Sequence, residues 1–92
     1  YQPQDVEMEI IVAESRADRQ TAEKLVRFAA KLRALIELGL AESASTRLLV
    51  DAAKLMASGL SARLACRVAI VEPLTDDADT AAALNDLAAL YF

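Results

Sequence analysis

Ser45-Thr46-Arg47-Leu48-Leu49-Val50-Asp51-Ala52-Ala53-Lys54-Leu55-Met56, residues 45–56, reads as a capped amphipathic helix. Leu48, Leu49, Ala52, Leu55 and Met56 recur at helical spacing and make one apolar stripe. Ser45 stands where an N-cap belongs, and Gly59 follows the last apolar residue as a stop. Arg47 falls in the first turn, where the helix dipole favours an anion over a cation. A helix start carries free N–H groups, and with a guanidinium beside them it forms half of an anion site. The chain offers no second half, so the stretch reads as one part of a site completed elsewhere.

Working outward, the same signals recur. Asp18 caps a long helix running to about Leu38, with Leu25, Phe28, Ala29, Leu32, Leu35 and Ile36 on one face. Lys24, Arg27, Lys31 and Arg33 lie toward its other face, and Gly39 supplies its stop. Ahead of it, Asp5 to about Ser15 forms a short helix carrying Val6, Ile10 and Ile11. Glu7 and Glu9 sit near its start and complement the dipole. Downstream, Ser61 caps a fourth helix whose inner face holds Leu64, Ala65, Val68 and one of Ile70 or Val71. Pro73 disfavours the α conformation at Glu72 and ends that helix. The segment Thr75-Asp76-Asp77-Ala78-Asp79-Thr80 is rich in caps. A last helix then runs from about Asp79 to Leu90, with Leu84, Leu87 and Leu90 at spacing three. The pattern predicts one all-α domain, residues 1–92, a small bundle of about five helices without linker or repeat.

Composition agrees. Twenty of 92 residues are alanine, and only four are aromatic, which favours closely packed helices over strands. No apolar run approaches membrane-spanning length, and the opening Tyr1-Gln2-Pro3-Gln4-Asp5 is not a signal peptide. A net charge of −4 argues against a nucleic-acid binder. The chain has no histidine and one cysteine, so no metal site and no internal disulfide are expected. The lone thiol suits a reducing, cytoplasmic setting.

Each candidate site also has a plainer reading. Arg47 is either a phosphate contact, helped by the hydroxyls of Ser45 and Thr46, or a surface arginine paired with Glu42 or Asp51. Arg63 and Arg67, four apart on one helix face, are either solvated or grip an acidic partner. The acids around Pro73 lack the spacing and turn glycine of a calcium loop, and read as a capped turn. Cys66 reads as a buried small residue, since no histidine is present to activate it. The serines Ser43, Ser45, Ser58 and Ser61 lack a base for the same reason. No phosphate-cradling glycine loop is present, so the chain does not hold a nucleoside triphosphate alone.

Two segments together resemble a known family. Ala44-Ser45-Thr46-Arg47-Leu48-Leu49-Val50 and Ala65-Cys66-Arg67-Val68-Ala69-Ile70-Val71-Glu72-Pro73-Leu74-Thr75-Asp76-Asp77 resemble the C-terminal region of the CbbQ/NirQ/NorQ family. Tyr1-Gln2-Pro3 and the acidic-apolar helix after it match where that region begins, so the resemblance covers nearly the whole chain. The family belongs to the MoxR branch of AAA+ ATPases, in which an α/β nucleotide-binding core precedes a small helical lid.

The resemblance implies that this chain is the lid, and that ATP and Mg are held by a core that lies upstream. It implies a ring-forming chaperone that activates Rubisco, or helps assemble nitric oxide or nitrite reductase in denitrification. Its implied partners are its own core, ring neighbours, a protein with a von Willebrand factor A domain, and the client enzyme. Arg47 falls on the family's sensor-2 arginine, whose implied role is to contact the nucleotide's terminal phosphates. The chain departs from the family at Ser43, where glycine is common, which implies a local backbone adjustment. On this reading the piece itself is not an enzyme, and no nucleotide binds it tightly. The competing reading is a free-standing helical interaction module that holds an acidic protein through Arg63, Arg67 or the basic face of the second helix.

Overall fold

The computed structural model describes residues 3–35 and 44–92. Among them are five helices and no strand. Helix α1 spans Gln4–Ser15, α2 Arg19–Ala34 and α3 Thr46–Ala57. Helix α4 runs over residues 62–74 in three parts: an α segment Ala62–Cys66, a π turn Arg67–Val71 and a last α turn Glu72–Leu74. Helix α5 spans Ala78–Ala89. The sequence-predicted stop at Gly39, and the positions of Ile36 and Leu38, lie outside the described residues.

The caps explain where the helices begin. Asp18 accepts from the Thr21 N–H at 2.7 Å, and Asp77 accepts from the Thr80 N–H at 2.8 Å. Ser45 and Ser61 accept from the Leu48 and Leu64 N–H groups at 3.4 and 3.3 Å. Each such bond satisfies an N–H that has no partner inside its own helix. Helix α3 ends in a paired reverse turn. The Leu60 N–H reaches back to the Leu55 carbonyl, and the Gly59 N–H to that of Met56, both at 3.0 Å. This arrangement needs positive φ at the residue after the cap, and Gly59 supplies it at φ 112°.

Helix α1 packs on α3 and α2, α4 lies along α3, and α5 closes the bundle over α4 and α2. Phe28, Leu25 and Leu32 of α2 meet Ile11, Leu49, Ile70 and Val71 in the fully buried centre. The Phe28 ring lies 6.0 Å from that of Tyr91, tilted against it, and ties the end of the chain to α2. Ala52 and Ala53 on α3 and Ala65 and Ala69 on α4 are buried, and such small residues let packed helices approach closely.

Three expectations about α4 and α5 fail. Pro73 does not end α4: Glu72 is α-helical at φ −61°, ψ −41°. The π turn before it is the reason. The Glu72 N–H bonds five residues back to Arg67, and the wider turn gives the proline ring room that an α turn would deny it. The inner face of α4 is Ala65, Cys66, Ala69, Ile70, Val71 and Leu74, so both Ile70 and Val71 face inward. Leu64 and Val68 remain 39% and 43% exposed. In α5 Leu84 and Ala88 are buried and Leu87 and Tyr91 pack against the core, but Leu90, the last of the row at spacing three, is 79% exposed because it falls in the turn that leaves the helix.

Candidate functional site

Residues 44–47 are held from several sides. Ser45 caps α3 with its hydroxyl, and its carbonyl accepts from the Leu48 and Leu49 N–H groups. Thr46, the first helical residue, donates its hydroxyl to the Glu7 carboxylate at 2.6 Å. Both hydroxyls offered by the sequence as anion contacts are therefore turned to internal partners. Arg47 is exposed, and among the described residues its guanidinium makes no ion pair or hydrogen bond. The pair with Asp51 is not formed, and Glu42 lies outside the described residues.

Arg47 opens onto a groove of about 430 Å³, lined by Thr46, Arg47, Val50, Asp51 and Lys54 of α3 and by Glu14 near the end of α1. Positions 47, 50, 51 and 54 fall on one face at helical spacing. Lys54 adds a second cation, which the sequence had given no reason to single out. Glu14 and Asp51 balance the two cations, so the groove has no net formal charge and Arg47 is its most forked anion contact.

The sequence missed the most buried polar feature among the described residues. Glu7 is fully buried, not a solvated helix-start acid. Arg33 donates to its two oxygens at 2.8 and 2.6 Å, and also donates from Nε to the Ala44 carbonyl at 2.9 Å. Arg33 is only 13% exposed and does not sit on the solvated face assigned to it. Burial by itself would raise the Glu7 carboxyl. The hydrogen bonds from Arg33 and Thr46 and the charge of Arg33 outweigh that and hold it below the usual carboxylate range. No helical periodicity announces such a pair, because Glu7 and Arg33 are 26 positions apart and meet only in the folded bundle.

The second candidate pair, Arg63 and Arg67, lines another groove of about 250 Å³ with Leu64 of α4 and Asn85 of α5. Arg67 lies 3.7 Å from Glu72 in an exposed pair worth little. Cys66 is buried, as the sequence suggested, and burial pushes its thiol up to about 12. That leaves it protonated at neutral pH. Among the described residues no group of acidic, cysteine or histidine side chains has the arrangement of a metal site. No helix among them is long and apolar enough to cross a membrane.

Fold and groove together define an all-α domain that presents one arginine from a capped helix start. The chain belongs to the CbbQ/NirQ/NorQ C-terminal family, whose model matches residues 7–91, and these are MoxR-type AAA+ proteins. It is 45% identical to the denitrification regulatory protein NirQ of Pseudomonas aeruginosa over 91 residues, covering 99% of this chain and 35% of that protein. It is 44% identical to the protein CbbQ of Hydrogenophilus thermoluteolus, covering all of this chain and 34% of the relative. With the protein NorQ of Paracoccus denitrificans it shares 46% identity over 94% of this chain and 32% of the relative. The chain thus spans about a third of the length of the curated relatives it matches.

Proposed function

We propose that this domain is the helical lid of a MoxR-type AAA+ ATPase, and that Arg47 is the arm by which the lid reads the nucleotide. One observation carries the reading: an exposed guanidinium, without a partner among the described residues, stands at a rigidly capped helix start beside an open groove. A nucleotide held by the α/β core, with Mg, would bring terminal phosphate oxygens to that guanidinium. Forked, charge-assisted bonds to phosphate favour the nucleotide that carries the γ-phosphate. Losing that group removes the contact, and the lid is then free to turn against the core. In a ring, such a turn passes to the neighbour and onward to a client enzyme. On this reading those clients are Rubisco, or the nitric oxide and nitrite reductases of denitrification, as membership of the family suggests. The groove of Arg63 and Arg67 suits an acidic segment of an adaptor, such as a von Willebrand factor A protein, or of the client.

The test is Arg47→Ala in the full-length protein. A charge-assisted bond made at the reacting phosphate is worth about 1.5–3 kcal/mol, so ATP turnover should fall about 10- to 100-fold. Client activation should fall with it, while the melting temperature of the domain stays unchanged because Arg47 is exposed. Turnover at the wild-type rate would overturn the assignment. The competing reading, a free-standing module, predicts unchanged turnover and a loss of partner binding on replacing Arg63 and Arg67 instead.

A further inference from the structure

Glu7 is the one fully buried acid among the described residues, and its position along the chain gives no clue to why. Its two oxygens take both arms of the Arg33 guanidinium, and one also takes the Thr46 hydroxyl. The Nε–H of the same guanidinium goes to the Ala44 carbonyl. One ion pair therefore holds both neighbours of Ser45, the carbonyl before it and the hydroxyl after it. Apolar side chains of similar volume often stabilise a fold as well as a buried ion pair does, so stability alone does not account for it. Directional bonds supply something apolar packing does not: they fix one element against another in register and rotation. Here α1 supplies the carboxylate, α2 the guanidinium, and the start of α3 is what they hold. Arg47 is the next residue after Thr46.

We propose that Glu7 and Arg33 are positioning residues for Arg47, acting through the Ala44 carbonyl and the Thr46 hydroxyl to fix the origin of its side chain. This rests on the reading of Arg47 as a nucleotide contact. An arm that must meet phosphate oxygens tolerates little error at its base, since a displacement of about 1 Å can cost about a hundredfold in rate. The same arrangement ties the lid's interior to its nucleotide-facing edge, so that α1, α2 and the start of α3 move as one body.

Thr46→Val tests it in the full-length protein. The substitution keeps the shape and the Glu7–Arg33 pair but removes the hydroxyl donor. ATP turnover should fall about three- to tenfold, and Thr46→Ser should restore it. Arg33→Lys keeps the charge, loses the fork, and should act in the same direction; if it does not fold, Thr46→Val decides alone. Within an Arg47→Ala background, Thr46→Val should cause no further loss, because its effect passes through Arg47. A merely structural role would give multiplying losses in that background, and that result overturns the proposal. So does wild-type turnover in Thr46→Val where Arg47→Ala is impaired. Wild-type turnover in Arg47→Ala itself overturns the underlying reading instead.

Discussion

Glu7 shows how far a single residue can depart from what its neighbours in sequence suggest. Placed near the start of α1, it satisfies every rule for a solvated dipole partner, yet the bundle closes over it. Its energetics follow from that burial. Glu7→Ala strands the 13%-exposed Arg33 without its carboxylate, and loss of one partner of a buried pair costs about 3–5 kcal/mol. That is a large share of the ~5–15 kcal/mol that holds a domain together, so urea denaturation should show a strongly lowered midpoint. Replacing both residues with apolar ones, Glu7→Leu with Arg33→Met, should cost less than the single change. Acid acts on the same pair. The folded-state pKa of Glu7 lies below its ordinary value of 4.5. Its stabilising contribution is therefore present above that value and disappears as pH falls through the folded pKa. Stability measured from pH 6 down to pH 3 should decline in the wild type and decline less steeply in Glu7→Gln. An equal slope in both would show that other carboxylates govern the acid limb.

At the scale of elements, starts were legible and faces less so. Caps at Asp18, Ser45 and Ser61 rest on side chains that act within three residues, so sequence alone locates them. The end of α1 falls at Ser15, where the sequence pattern put it, but the conformation that ends it was not visible. Arg16 adopts the left-handed conformation at φ 64°, returning its N–H to the Val12 carbonyl, with no glycine to signal it. A side chain in that conformation costs about 1–2 kcal/mol, and Arg16 is exposed. Arg16→Gly should accordingly raise stability by up to about 1 kcal/mol, once the greater freedom of glycine in the unfolded chain is counted. A thermal melt checks the sign, and a lower melting temperature would contradict it. The π turn of α4 was not legible, because Pro73 carries the same local signal whether it ends a helix or follows a widened turn. Ile70 and Val71 both lie in that turn and both are buried.

The whole molecule has a radius of gyration of 12.0 Å, close to the ~12 Å expected of a compact chain of this length. Its compactness comes from alanine-rich helix faces around the Phe28 centre, which composition alone suggested. The site divides differently. Arg47 stood out because a cation at a helix start runs against the dipole, and that signal is local. Its supports, Glu7 and Arg33, come from two other helices and become visible only when the bundle is assembled. Lys54 joins the groove through helical spacing that exposed lysines often share. The proposed lid role accounts for a site with one half: the chain spans about a third of the length of its relatives, and a lid would meet the nucleotide only with a core. Whether Arg47 reads the γ-phosphate is decided most directly by nucleotide affinity in the full-length protein. Titrated with a non-hydrolysable ATP analogue and with ADP, Arg47→Ala should lose about 10- to 100-fold in affinity for the analogue while its affinity for ADP is unchanged. Unchanged affinity for both, or an equal loss for both, would contradict it.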